Sequence, residues 1–555
     1  MKKETVFWIL LAVFAFLFSS SLMWQTFSYD TETASLFIAP KAWSDFAAHI
    51  PLIRSFSLGN NWPPESPIFP GSPIQYHFLF YFLVGMLEKI GIRIDIALNT
   101  LSVFGLSALM LTIALMAKKL FSRYATATIA VLLFCFNGSL SFVRFFEKHP
   151  LSSHTLQDIV TNTAFPAFGP WDGGLVSAFW TMNIYTNQRH LGLSYALVLI
   201  TILLTLKTNT MQSKVHRFLL SCSIALSMIT LLFLNQAAAL IAGIWLLWIC
   251  IIQKKSRIPL LCAALISIPS IFVYTKLIGL SGTITFDPGY LVHNPLTLRS
   301  IVVFWWQNLG LSFVMIPFGF IVAPKKVKIL FIVPLLLLFI APNLWRFSPD
   351  MINNHKFFNF FIIVGNLLTA HGLVKIFDWL KKSSSKIIRI LSYWVIGLLA
   401  FILTLSGIID LFPIFNETKG SMQDAPNNRD VEFFRTNTPP DAVILNSTWL
   451  YHPASLAGRK IFAGYTYFTW SYGYNQTKRE MQQKSIYEAT NKEKACYLLQ
   501  KYHIGYIELS RTPEQFLQPN NVLFENEFVN LYTNTTTGMN VYDVAQSCNY
   551  HETTN

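Results

Sequence analysis

Acidic residues are scarce in this chain: 28 Asp and Glu among 555 residues, against 42 Lys and Arg. Whole stretches hold no charge of either sign, at 5–24, 96–117, 124–143, 190–206, 218–252, 258–275, 300–323, 329–345, 357–374 and 390–409. A water-soluble fold needs charge on its outward faces and does not leave so many long segments without it. Cysteine is sparse too, six in all, which excludes a disulfide-rich scaffold. No CxxC, HExxH, GxGxxG or P-loop pattern stands in a credible context, which removes the usual nucleotide and zinc sites.

What is present is apolar surface. Hydrophobic residues make up 53% of the chain and mean hydropathy is +0.44, which places it in the membrane class. About twenty apolar residues cross a bilayer core, so most charge-free runs read as single crossings. The run 218–252 is long enough for two, with Asn235 and Gln236 at the turn, giving 11 crossings in all. The first run has no small-residue cleavage site and reads as a retained anchor.

The positive charges orient these crossings. Short connections carry Lys118, Lys119 and Arg123; Lys207, Lys214 and Arg217; Lys254, Lys255 and Arg257; and Lys325, Lys326 and Lys328. With Lys2, Lys3 and the cluster from Lys375 to Arg389 they total 19 cations, beside only Glu4 and Asp378. Basic short loops stay cytoplasmic, so the amino terminus is expected inside and the carboxyl terminus outside, in a plasma (inner) membrane. Once topology absorbs the charge no basic patch is left, and no nucleic-acid partner is expected.

The cytoplasmic connections are too short to build a pocket, so chemistry is expected on the outer loops and tail. In the first outer loop, "WSDFAAHIPLIRSFS" puts Asp45 and His49 on one helical face. Leu52, Ile53 and Phe56 continue that spacing and suggest a short helix lying on the membrane surface. Residues 60–73 are rich in Pro, Gly and Asn and read as irregular. The apolar segment 76–87, with Tyr76 and His77 at its start, is too short to cross and reads as a juxtamembrane helix. Asp172, in the Gly-flanked passage "GPWDGG", reads as a turn residue. Arg189, His190, His355 and Lys356 fall at the outer edges of two crossings, where cations need partners and lipid phosphates supply them.

After Pro413 the chain turns polar. Strand-like runs at Val443–Leu445, Tyr506–Leu509, Val529–Tyr532 and Asn540–Tyr542 surround a helix-like stretch, Lys478–Tyr502. The aromatic passage His452–Tyr474 reads as a sheet or loop surface. These features predict a transmembrane domain over 1–412, with outer loops 25–95 and 144–189, and a soluble extracytoplasmic α/β domain over 413–555. Cys496 and Cys548 both lie in that outer part; whether they pair is left open by sequence.

The passages "WSDFAAH", "PIQYHFLFYF", "TNQRHLG", "NNHKFF" and "HPASLAGRKIFAGY", together with the architecture, resemble the GT-C superfamily of integral membrane glycosyltransferases. This group includes protein mannosyltransferases, aminoarabinose transferases and a bacterial branch without assigned substrates. The resemblance implies a polytopic α-helical membrane fold and transfer of a sugar from a polyprenyl-phosphate-linked donor to an outer lipid, glycan or protein acceptor, with inversion. It implies Asp45 as the catalytic base, with His49, Tyr76, His77, Arg189, His190, His355 and Lys356 binding substrate among membrane lipids. Several GT-C families carry two adjacent acids in this loop, whereas Asp45 is followed by Phe46. No metal ligands are assigned, and a divalent metal stays open as a cofactor.

Two other functions compete. A flippase or transporter for a lipid-linked sugar would use a groove lined by aromatic and polar groups. The ion-coupled kind usually buries ionisable residues midway through its crossings, and these crossings are nearly free of them. A non-catalytic envelope assembly factor would bind a partner through its tail, and replacement of Asp45 separates it from an enzyme.

Overall fold

The structure, a computed structural model, describes residues 3–169, 174–278, 284–292 and 295–548. Asp172 lies outside the described residues. The chain divides into two compact units. The first takes in Met1–Thr26, Asn99–Phe272 and Thr283–Thr418, and the second Phe27–Leu98, Val273–Gly282 and Lys419–Asn555.

The first unit is helical and apolar. Counting the helices that run into or out of it, eight among the described residues are long and apolar enough to cross a bilayer. They are Glu4–Thr26, Ile94–Phe121, His190–Thr208, Lys214–Leu234, Lys254–Leu277, Lys325–Leu344, Met351–Lys381 and Lys386–Asn416. Every charge-free run of the sequence is helical, yet the expected 11 crossings are not all realised as full spans. The run 300–323 breaks into Leu298–Leu309 and Ser312–Val322, bent by 86°, so the count rises to nine at most. The run 124–143 is helical over Tyr124–Cys135 and again from Ser141, with a break at Asn137, whose amide donates to the Trp180 carbonyl. The run 218–252 does divide at Asn235, whose side chain caps Gln236–Ile252 by accepting from the Ala238 amide. That second helix has 17 residues. At 1.5 Å per residue it falls several ångströms short of a hydrocarbon core of about 30 Å.

The helix His355–Lys381 is buried at every position from His355 to Val374 and forms the centre of this unit. Ser312–Val322, Tyr124–Cys135, Lys325–Leu344 and Lys386–Asn416 pack around it. By contrast, Lys386–Asn416 exposes Ile387, Ile390, Leu391 and Trp394, as a lipid-facing helix should. Its far end is different: Asp410 is fully buried and accepts from Ser177 Oγ at 2.6 Å. Helices Ile94–Phe121 and His190–Thr208 touch backbone to backbone at Gly105 and Gly192. A side chain at either position would fall within 3 Å of the other helix.

The second unit is mixed. Strands β1 (Phe27–Asp30) and β2 (Ser35–Ile38) form an antiparallel hairpin, and β2 takes β3 (Gly420–Gln423) on its other side, Ser35 facing Gln423 and Ile38 facing Gly420. The tail adds β4 (Val443–Leu445), β5 (Lys460–Ile461), β6 (Tyr506–Leu509), β7 (Val529–Asn534) and β8 (Met539–Asp543). They make a five-stranded sheet in the order β5-β4-β6-β8-β7, parallel at β5/β4/β6 and antiparallel beyond. The helix-like stretch 478–502 is two helices, Gln476–Tyr487 and Lys492–Lys501, because Asn491 caps the second through the Lys494 amide. The aromatic passage 452–474 holds two short helices, Pro453–Leu456 and Thr466–Ser471, around β5. Cys496 and Cys548 form a disulfide that ties Lys492–Lys501 to the last helix.

Trp43–Ser57 is the expected helix of the first loop, but it does not lie on a surface. Every residue from Phe46 to Ser57 is buried, so no face remains for a membrane plane. Leu79–Lys89, the helix expected near the bilayer, packs against it, and Pro453–Leu456 of the tail packs on it as well.

Candidate active site

Asp45 stands in the first turn of Trp43–Ser57, where the unpaired amides of a helix start favour a negative charge. Its side chain is half-exposed, while His49, one turn on, is buried. His49 Nε2 is 2.8 Å from the Tyr81 hydroxyl, and the two rings stack at 4.4 Å. Tyr76 stacks on the other side of this group: its ring lies 6.3 Å from that of His49, 3.6 Å from that of His77 and 4.4 Å from that of Tyr472. The sequence-selected residues Asp45, His49, Tyr76 and His77 thus gather in the second unit.

Tyr451 and Tyr472, which were not selected from sequence, complete the group. The Tyr451 hydroxyl donates to the Trp43 carbonyl, and its ring lies 4.7 Å from that of Trp43. The phenols of Tyr76, Tyr451 and Tyr472 are all pushed above the ordinary tyrosine range, first by burial and then in part by the negative charge of Asp45. One carboxylate therefore acts on three hydroxyls that stay protonated at neutral pH and are able to donate hydrogen bonds. No spacing rule reaches these tyrosines; the fold brings them from the far end of the chain.

Against the aromatic group lies a small hollow of about 20 Å³ lined by Ala48, His49, Leu52, Tyr76, Tyr472 and Tyr474. That is room for one water and not for a ligand. Its far wall is fixed by Tyr474, whose hydroxyl accepts from the Gln75 amide and donates to the Pro73 carbonyl, both at 2.8 Å. These bonds hold the ring of Tyr474 in place. Among the described residues no group of three or more His, Cys, Asp or Glu side chains is placed to hold a metal. Asp45 and His49 offer two donors at most, which do not fit a divalent ion, so no step is derived through one.

Arg189, His190, His355 and Lys356 belong to the first unit. Arg189, 1% exposed, spends its five N–H donors on the Thr186 carbonyl, Met23 Sδ, Asn99 Oδ1, the Met23 carbonyl and Thr26 Oγ1. It ties the ends of Lys3–Thr26 and Ile94–Phe121 to the start of His190–Thr208. His190 is fully buried beside it. His355 Nδ1 meets the Asn359 amide at 3.0 Å, and the Lys356 ammonium donates to Asn353 Oδ1 at 3.4 Å. The Lys356 carbonyl accepts from the Tyr195 hydroxyl at 2.7 Å, which links His190–Thr208 to His355–Lys381.

No protein-family model matches the chain, and no curated protein matches it significantly. Solved structures do. ArnT from Cupriavidus metallidurans bound to undecaprenyl phosphate is 7% identical, with 99% of each chain covered and a TM-score of 0.52. The same protein in the apo state gives 8% and 0.50, over 99% of this chain and 100% of that one. The arabinofuranosyltransferase AftD from Mycobacteria is 12% identical with a TM-score of 0.51, over 96% of this chain and 40% of that larger one. The polytopic helical fold expected from the sequence is thus shared with these solved structures.

Proposed function

We propose, from this shared fold, that the protein is an integral membrane glycosyltransferase that moves a sugar from a polyprenyl-phosphate-linked donor to a hydroxyl acceptor with inversion. The observation that carries the reading is Asp45: a half-exposed carboxylate at a helix start, facing three neutral phenols, in a fold shared with a protein that binds undecaprenyl phosphate.

The chemistry follows from the groups. The acceptor oxygen forms a bond to the anomeric carbon as the bond from that carbon to the phosphate oxygen breaks. The acceptor proton passes to the Asp45 carboxylate, and the electron pair leaves on the lipid phosphate. Phosphate is already a stable anion, so no acid is needed on the leaving side, unlike the carboxylate pair of glycoside hydrolases. Tyr76 and Tyr472, stacked on each other, line the site beside Asp45 and stay neutral there. Lys356 is assigned separately, to the lipid phosphate, because it is a cation at the end of a span, where lipid headgroups lie. Arg189 acts in this reading as a tie between helix ends, its donors being committed to protein.

The test is incubation of purified protein with a panel of polyprenyl-phosphate sugars and mixed acceptors. One donor should be consumed, and Asp45→Asn should slow that by at least about a hundredfold while leaving the melting temperature unchanged. Lys356→Met should weaken capture of the bare polyprenyl phosphate. Consumption of no donor, or full activity in Asp45→Asn, removes the proposal.

A further inference from the structure

The second unit holds a larger hollow that is not lined by Asp45 or its tyrosines. It has a volume of about 470 Å³ and is lined by the loop 60–65 with 71–73, by Lys276 and Leu277, and by Asp441 and Lys460. On its rim Trp62 is 67% exposed. Leaving an indole in water forgoes stabilisation that burial would have given, and at the rim of a hollow it offers a flat apolar face to a ligand.

The loop that presents Trp62 is fixed rather than loose. Asn61, which is buried, donates from its amide to the Glu65 carbonyl at 2.9 Å and to Ser55 Oγ at 3.0 Å, and accepts from the Glu65 amide at 3.1 Å. One Glu65 oxygen accepts from the Gly71 amide at 2.6 Å, and the other pairs with the ammonium of Lys460, itself only 8% exposed. Pro63 and Pro64 stiffen the backbone beyond the indole. The ring is pre-positioned, so a ligand laid on it loses little to ordering the protein.

The wall chemistry selects the ligand. Lys276 and Lys460 are balanced by Glu65 and Asp441, and Asn60 adds an amide. A lipid phosphate asks for net positive charge, which this lining does not offer. A pyranose asks for something else: an aromatic face for its axial C–H groups and a mixed rim of donors and acceptors for its hydroxyls. The volume falls in the range of small-ligand sites. We infer that this hollow is a saccharide-binding groove in which Trp62 stacks on one ring of an oligosaccharide while Asn60, Asp441 and the Glu65–Lys460 pair receive its hydroxyls.

Binding there stands without the transferase reading; with that reading, the bound chain is the acceptor. The experiment uses the full chain in detergent and a panel of short neutral, amino and uronic oligosaccharides, followed by saturation transfer to the ring protons. At least one should bind, roughly tenfold weaker in Trp62→Ala and near normal in Trp62→Phe. Asp441→Ala should weaken it with unchanged melting temperature, and Asp45→Asn should bind as the native chain does. No binding by any member, or binding indifferent to Trp62→Ala, overturns the inference. So does loss of co-purified anionic phospholipid in Trp62→Ala without sugar binding, which would make the hollow a headgroup site. Donor turnover with no oligosaccharide binding would sink this inference and spare the proposed function.

Discussion

Arg54 is 4% exposed, on the same helix as Asp45, and its position explains why that helix is not a surface element. The guanidinium pairs with Asp424 through both nitrogens, Nη1 at 2.8 Å from Oδ1, donates to the Leu456 carbonyl at 2.7 Å, and has Glu88 at 3.5 Å. Asp424→Asn leaves Arg54 only the more distant Glu88 as counter-ion and should cost about 3 kcal/mol, seen as a lower denaturation midpoint. Glu88 behaves differently. Burial raises its carboxyl above the ordinary value, while Arg54 and Ser57 pull it down. A value higher in the folded than in the unfolded chain means the native state holds the proton more tightly. The stability it adds is complete below the ordinary glutamate range and is lost as pH climbs through the raised value. Glu88→Gln should therefore gain melting temperature relative to the native chain as pH rises towards neutrality; a difference that stays flat with pH contradicts this. At this scale the helical spacing of Asp45 and His49 was legible, since four residues make one turn. Tyr451 and Tyr472 were not, because only long-range folding brings them near.

Among the elements, the contact of Ile94–Phe121 with His190–Thr208 rests on two missing side chains. An added Cβ at Gly105 would lie 2.8 Å from the Leu193 nitrogen, and one at Gly192 would lie 2.9 Å from the Leu106 nitrogen. Small residues allow such approach between membrane helices. Gly192→Ala should destabilise by about 1–3 kcal/mol through overpacking, whereas Gly397→Ala, with nothing within 4 Å, should be neutral or slightly stabilising in the same melting assay. Strand positions in the tail were read well from sequence because β-branched and aromatic runs stood between polar turns. The 86° bend between Leu309 and Ser312 was missed: its one local mark is Gly310, which caps the first helix at a φ of +53°, and no charge accompanies it.

At the scale of the molecule, charge asymmetry and the disulfide bear on the same question. Basic loops around Lys118, Lys254 and Lys325 argue for a cytoplasmic side, and a Cys496–Cys548 bridge argues for an oxidising compartment around the tail. In protein denatured straight from membranes, thiol reagent should label these two only after reduction, while Cys135, Cys222, Cys250 and Cys262 label without it. Replacing both with Ser should cost about 2–5 kcal/mol in the tail's unfolding. Free thiols at both positions would undo the assignment of sides. Sequence separated a membrane part from a tail by composition. It did not reveal that residues 27–98 share a compact unit with residues 419–555, because a hairpin waiting for a distant strand carries no local mark.

That pairing sets an order of events during synthesis. The hairpin and the Asp45 helix leave the ribosome long before Gly420–Gln423, Asp424 or Tyr451 have been translated. Throughout that interval β2 has an open edge and Arg54 lacks the Asp424 carboxylate, the condition in which nascent chains recruit chaperones. A product that stalls before its last quarter would be threaded through the bilayer with its carboxylate unfurnished. The Asp45 site is complete only with the final stretch of polypeptide, so a chain cut short lacks the tyrosines that surround that carboxylate.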